Sequence, residues 1–176
     1  MNRHWIWLAV LFAAALVAVV VIAYLPSGSS ANGPAALIGQ TAPSFPVVDL
    51  AGKPGALADY RGRIVVLNLW ASWCPPCRAE MPDLERLSRA YLKRGVVVLG
   101  IDQGEAGARA GDFATSLGIT YPVLVDDAQQ YGRVYAALGL PTTIVIDANG
   151  VVRAGFDGAL TFAQMSAAVE PLVAKS

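Results

Sequence analysis

The two cysteines of this 176-residue chain, Cys74 and Cys77, stand three residues apart. Two cysteines placed at random would take that spacing only about one time in a hundred, so the spacing itself points to paired thiol and disulfide chemistry. The attacking species in disulfide exchange is the thiolate, and a helix N-terminus supplies a field that favours it. The neighbours suit such a site. Leu69-Trp70-Ala71-Ser72 ends an apolar run, and Pro75 and Pro76 fit a first helical turn, where no intrahelical bond is owed by their missing N–H groups. Cys74 is thus placed at the helix cap as the attacking thiol, with Cys77, one turn in and more buried, as the resolving one. A purely structural disulfide is disfavoured, because so short a loop constrains the unfolded chain little.

Composition removes competing chemistries. The single histidine, His4, lies outside the globular part. No Cys-His or Ser-His nucleophilic pair is therefore available there, and two cysteines cannot complete a four-ligand zinc site. No metal and no cofactor beyond a redox-active Cys74–Cys77 disulfide is expected. A peroxidase of the peroxiredoxin kind would want Thr or Ser three residues before its cysteine, and position 71 is alanine. The 13 basic and 13 acidic residues balance, and they are interspersed, so no basic patch asks for nucleic acid.

The chain is 55% hydrophobic, more than one soluble domain of this length needs. The excess sits at the N-terminus. Trp5 to Leu25 carries no charge for about 21 positions, enough to cross the hydrocarbon of a bilayer as a helix. Trp5, Trp7 and Tyr24 stand at its ends as interfacial aromatics do, and Arg3 precedes it while no Lys or Arg follows until Lys53. The expected organisation is a cytoplasmic lead at 1–4, a transmembrane signal anchor at 5–25, a Pro/Gly/Ser/Ala-rich flexible linker at 26–39 and one domain at 40–176 on the extracytoplasmic side. A cleavable signal peptide ending near Ser29-Ser30-Ala31 is the alternative; its apolar region usually runs only about 7 to 15 residues.

The elements that must position the cysteines follow from periodicity. Arg63 to Leu69 is a continuous apolar run, read as the central strand, buried on both faces. Cys77, Met81, Leu84, Leu87 and Tyr91 mark one face of a helix ending at Lys93-Arg94-Gly95, and Pro82 in its interior is expected to kink it. Val96 to Ile101 returns to strand, so strand, helix and strand imply a parallel pair with the cysteines at the turn into the helix. Phe45–Leu50 and Pro122–Val125 read as short strands, Glu105–Leu117 and Gln129–Leu138 as helices. Thr142–Ile146 and Val151–Phe156 form a hairpin around Asp147-Ala148-Asn149-Gly150, and Thr161–Val173 closes the chain as an amphipathic helix. Trp70 reads as core. Asp102, Asp126 and Asp127, at strand ends, read as solvated turn residues.

Trp73-Cys74-Pro75-Pro76-Cys77, with Trp70-Ala71-Ser72 before it and Glu80-Met81-Pro82 after it, resembles the membrane-anchored TlpA/ResA-like branch of the thioredoxin superfamily. Gly139-Leu140-Pro141-Thr142-Thr143, running into Ile144-Val145-Ile146-Asp147, resembles a second block of that family, and the resemblance extends from about Ile38 to the C-terminus. It implies an α/β thioredoxin-like fold, a central mixed sheet flanked by helices. It also implies that Pro141 is the cis-proline facing the cysteine loop, holding the backbone of Leu140 beside Cys74, where a substrate strand can bind. Trp73 is read as a partly exposed shoulder of this site, with Pro75 and Pro76 on its rim. Asn68 stands where thioredoxins proper carry a buried acid. Its amide cannot titrate, so the proton handling done there is expected to pass to Glu80, whose counterpart in the resembling proteins lies near the thiols.

The function expected is a membrane-tethered thiol:disulfide oxidoreductase, reducing disulfides of specific extracytoplasmic proteins through a mixed disulfide at Cys74 resolved by Cys77. The resemblance suggests apocytochromes c awaiting haem, or copper-site proteins, as substrates, and a membrane thiol carrier as electron donor. Two alternatives stand beside it. One is a Cu(I)-binding chaperone using the two thiolates. The other is a DsbA-like oxidase, since direction of electron flow is not written in the motif.

Overall fold

Ile64–Trp70 (β3) and Val96–Gln103 (β4) are buried at every residue and pair in parallel from Ile64↔Val96 to Trp70↔Asp102. They lie within a computed structural model that describes residues 33–174 together with Trp7 and Ala13. By contacts the chain divides into two units, Met1–Ser30 and Ala31–Ser176, and the second carries the fold. The anchor expected at 5–25 lies outside the described residues apart from Trp7 and Ala13. Among the described residues no helix is long and apolar enough to cross a membrane.

Five further strands complete a seven-stranded mixed sheet: Val47–Asp49 (β1), Pro54–Gly55 (β2), Val123–Asp126 (β5), Thr142–Ile146 (β6) and Val152–Asp157 (β7). Their order is β2-β1-β5-β4-β3-β6-β7. Pairs β3–β4 and β4–β5 are parallel; β1–β2, β1–β5, β3–β6 and β6–β7 are antiparallel. The middle of the sheet is therefore β4, and the reading of Arg63–Leu69 as the central strand is one place off. Both runs are apolar throughout, so neither carries a pattern that ranks it. The order is decided by β5 and the β1–β2 hairpin, which extend the sheet beyond β4.

Side-chain alternation splits β3 between two cores. Ile64, Val66 and Trp70 face one cluster, and Val65, Leu67 and Leu69 face the other. The first cluster is covered by Pro75–Tyr91 (α1), Gly107–Ser116 (α2) and Phe162–Val173 (α4) through Met81, Leu84, Leu87, Ala110, Met165 and Val169. The second is covered by the short helix Gln130–Val134 (α3), whose Tyr131 stacks with Tyr135, the residue capping its C-terminus, ring centroids 6.0 Å apart. Helix α3 is much shorter than the expected Gln129–Leu138. Gln129 and Ala136 both take positive φ, 53° and 51°, which ends the helical path on either side.

The hairpin β6–β7 closes as expected, with Asp147 Oδ1 accepting from the amides of Asn149 and Val151. The segment expected to serve as linker up to residue 39 is in part built into the domain. Pro34–Leu37 forms a 3₁₀ turn on β7, with Gly39 N donating to Val152 O at 2.9 Å and Val152 N to Gln40 O at 2.9 Å. A Cβ at Gly155 would lie 2.6 Å from the Pro34 carbonyl carbon, so this close approach requires glycine. Gly39 and Gln40, following the turn, thereby pair with the outer edge of β7 at Val152, where an edge strand would otherwise present open groups.

Candidate active site

Strand β3 ends at Trp70 and the chain turns through Ala71–Trp73 into α1, whose N-cap is Cys74. The Cys77 amide donates to Cys74 Sγ at 3.2 Å, one of the donors that a helix start leaves unpaired. Pro75 and Pro76 occupy the first helical positions and are exposed. Cys74 and Cys77 form a disulfide with Cα atoms 5.3 Å apart. Their burial differs less than the sequence implies: Cys74 is 3% exposed and Cys77 1%. In the oxidised state both sulfurs are drawn into the apolar cluster against which Leu140 packs. Trp73, by contrast, is 61% exposed. The Leu140–Pro141 bond is cis.

One turn beyond Cys77, Glu80 is buried on the α1 face turned to the sheet. It faces β3 and β6, which lie in register at Asn68↔Thr143. Asn68 Nδ2 donates to Thr143 Oγ1 at 3.0 Å, and Thr143 Oγ1 donates to Glu80 Oε1 at 3.3 Å. Glu80 Oε2 has no partner. Burial pushes the Glu80 carboxyl up to about 7; the hydrogen bond from Thr143 and the neighbouring Leu160 backbone and Asn68 amide moderate the rise, and the nearby Asp83 charge adds to it. A solvated surface glutamate is thereby excluded. Thr143 is the member of this chain that the sequence reading did not single out. The signal was present: alternation along β6 puts Thr143 on the same face as Val145, toward α1.

A second buried network holds the loop before Cys74. Glu105 accepts from both the Ser72 amide (Oε2, 2.5 Å) and the Ser72 hydroxyl (Oε1, 2.6 Å), and pairs with Arg109 at 2.9 Å. Its own amide donates to Asp102 Oδ1 at 3.0 Å. Burial raises the Asp102 carboxyl well above the usual range, with Glu105 adding to the rise; Ser72 and Arg109 keep Glu105 low despite its own burial. The pair thus shares its charge unevenly, Asp102 neutral and Glu105 ionised at neutral pH. On the other side of β4, Asp126 Oδ2 accepts from the Tyr131 amide at 2.7 Å and from Gln103 Nε2 at 3.3 Å.

The reading of Asp102, Asp126 and Asp127 as solvated turn residues is corrected for the first two. Asp102 is 0% and Asp126 1% exposed, while Asp127 is exposed. The strands run on past their apolar residues and carry the acids inside, where side chains and backbone amides from the following loops receive them. Trp70 is buried, as read.

Pro141, Leu140, Trp73 and the cysteine loop are brought to one end of the sheet, and a groove of about 300 Å³ opens there between Trp73 and Leu140. Chemically the arrangement is a dithiol/disulfide couple at a helix N-terminus, with a carboxyl that changes charge near neutrality on the next turn of the same helix.

Comparison with known proteins places this arrangement. Residues 38–155 match the AhpC/TSA family. The chain is 41% identical over 127 residues to the thiol-disulfide oxidoreductase ResA of Geobacillus thermodenitrificans, covering 72% of this chain and 73% of that protein. It is 35% identical over 128 residues to the ResA of Bacillus thuringiensis subsp. konkukian, covering 73% and 74%. Among solved structures, a putative thiol:disulfide interchange protein DsbE from Chlorobium tepidum superposes with a TM-score of 0.72 at 28% identity, over 77% of this chain and 97% of that one. A secreted thiol-disulfide isomerase from Corynebacterium glutamicum does so with a TM-score of 0.70 at 30% identity, over 77% and 86%. The mixed sheet flanked by helices is accordingly the thioredoxin-like fold, and the catalysed chemistry is thiol-disulfide exchange. The chain belongs to the ResA/TlpA-like thiol-disulfide oxidoreductases of the thioredoxin superfamily.

Proposed function

We propose that the protein is a membrane-tethered reductant of particular protein disulfides on the extracytoplasmic side of the cytoplasmic membrane. The observation that carries the direction of electron flow is the buried Glu80 carboxyl, one turn from Cys77 and ionising at about 7. A thiolate that is strongly stabilised favours the reduced protein and makes an oxidant. A carboxylate that charges nearby works against the thiolate and so favours giving electrons away.

In the cycle, the Cys74 thiolate attacks one sulfur of the substrate disulfide. The S–S bond breaks, the distal substrate sulfur leaves as a thiolate and takes a proton, and a Cys74–substrate mixed disulfide remains. Cys77 then gives up its proton, with Glu80 the group that handles it, and attacks Cys74 Sγ. The second substrate thiol departs and the Cys74–Cys77 disulfide forms. Two electrons and two protons have passed to the substrate, and the described disulfide is the oxidised product. Return to the dithiol requires a donor dithiol, for which a membrane thiol carrier is the proposed source. Leu140 and Pro141, with Trp73 opposite and Pro75 and Pro76 at the rim, form the wall along which the substrate strand lies. Apocytochromes c awaiting haem and copper-site proteins are the proposed substrate classes.

The uncharged run from Trp5 to Leu25 behind Arg3, and the absence of Lys or Arg between it and Lys53, support the tether and the outward orientation. Intact cells treated with a membrane-impermeant thiol reagent test both. The full-length chain is expected in the membrane fraction with Cys74 labelled from outside after reduction. A soluble product lacking the N-terminal segment, or protection of Cys74 until the cells are lysed, contradicts this placement.

A further inference from the structure

The groove beside Leu140 is a constructed feature rather than a gap between surface loops. One wall is Trp73, next to the cysteine that joins the mixed disulfide; the other is α3 with the Gly139-Leu140 approach to Pro141. Helix α3 is bracketed by Gln129 and Ala136, two non-glycine residues held at positive φ. Backbone held in sparsely populated regions persists only where the surroundings fix it, and such positions gather at functional sites. Here the surroundings are explicit. Gln103, on the floor, accepts the Gly132 amide at 3.0 Å, and Asp126 accepts the Tyr131 amide. The Gln129 side chain lies so close over Gly104 that a Cβ there would be 2.4 Å from its Nε2.

The lining carries one charged side chain, Arg133. It is exposed, and the ion pairs among the described residues involve Arg89, Arg94, Arg109 and Arg153 and leave Arg133 without a carboxylate. A guanidinium in a groove lined also by the exposed Trp73 and the side chains of Gln103 and Gln129 is complementary to a short acidic side chain. We propose that this groove receives the substrate residue adjacent to the attacked cysteine, and that Arg133 selects for protein disulfides with Asp or Glu at that position. The assignment rests on the reductase reading above, with the substrate strand lying along Leu140–Pro141.

The test uses the reduced full-length chain in detergent with short peptides, each closed by one internal disulfide and differing only in Glu, Gln or Lys beside the cysteine. The wild type is expected to reduce the Glu peptide faster than the Lys peptide by roughly two- to fivefold, the range of one solvent-exposed ion pair, and the ratio should shrink toward one at high salt. Arg133→Glu is expected to invert the ratio and Arg133→Gln to flatten it, each judged against the Gln peptide within the same variant. A wild-type ratio near one, a preference for Lys, or a ratio unchanged in both variants overturns the assignment. Failure of the wild type to reduce even hydroxyethyl disulfide contradicts the reductase reading itself and is thus distinguishable.

Discussion

Cys77→Ser protein, reduced and presented with its substrate, is expected to accumulate a mixed disulfide through Cys74, whereas Cys74→Ser protein is expected to accumulate none and to turn over nothing above background. The asymmetry follows from position. Cys74 is the cap residue, beside the exposed Trp73 and across from Leu140–Pro141, while Cys77 is one turn into α1 and 1% exposed. Without Cys77 no second sulfur lies close enough to attack the adduct, so its decay waits on external thiol. Intact-protein mass spectrometry after acid quenching reads the result: a shift by the mass of the substrate, reversed by dithiothreitol. Equal trapping by both single variants would mean that either sulfur attacks, and would remove the assigned order.

Glu80→Gln is the second large effect, and it is read in two ways. In the reduced protein the Glu80 charge opposes thiolate formation, so its removal is expected to move the pH profile of Cys74 alkylation toward lower pH. Because the groups titrate together, that profile belongs to the cluster rather than to one thiol. Turnover is expected to fall at the same time, by roughly 10²-fold, as a proton-handling group is lost. A merely structural glutamate would move neither the alkylation profile nor its pH dependence, and identical profiles remove Glu80 from the mechanism.

The other readout is stability of the oxidised domain. The folded Glu80 carboxyl sits at about 7 against 4.5 for the ordinary group. The native state therefore binds the extra proton, and its contribution to stability is full below pH 4.5 and lost as pH rises through 7. At 1.36 kcal/mol per unit the loss is about 3 kcal/mol. Glu85, Glu105 and Asp147 are lowered, so their slope has the opposite sign and is confined to the ordinary carboxylate range, below the rise through 7 that Glu80 governs. Asp102 is raised and adds slope of the same sign as Glu80. Urea midpoints of wild type and Glu80→Gln at pH 5 and pH 8 should thus diverge, with the wild type losing more on the way up.

The features legible in the sequence are those whose cause is local. Cysteine spacing, prolines at N1 and N2, and the apolar face Cys77-Met81-Leu84-Leu87 are properties of consecutive residues, and α1 appears where they place it. The hairpin at Asp147–Gly150 follows its turn chemistry for the same reason. What was hidden depends on partners far along the chain. Asp102 and Asp126 look like turn residues until Glu105, Gln103 and Tyr131 are brought to them. Helix α3 has a helical composition to Leu138, yet Tyr135 donates its hydroxyl to Pro43 O and Ala136 turns left-handed, so packing against a distant segment ends it. Asn68 could be read as standing in place of a buried acid only through the resemblance to thioredoxins. That its amide feeds Glu80 through Thr143 required the β3–β6 register.

In the proposed reductase, Glu80 is expected to hold the Cys74–Cys77 couple toward the reducing side. Equilibrating the domain with a glutathione or dithiothreitol redox series and reading the Cys74–Cys77 state gives its reduction potential directly. The expected value is at or below that of thioredoxin, about −270 mV; a value near that of DsbA, about −120 mV, would make the protein an oxidant and contradict the assignment.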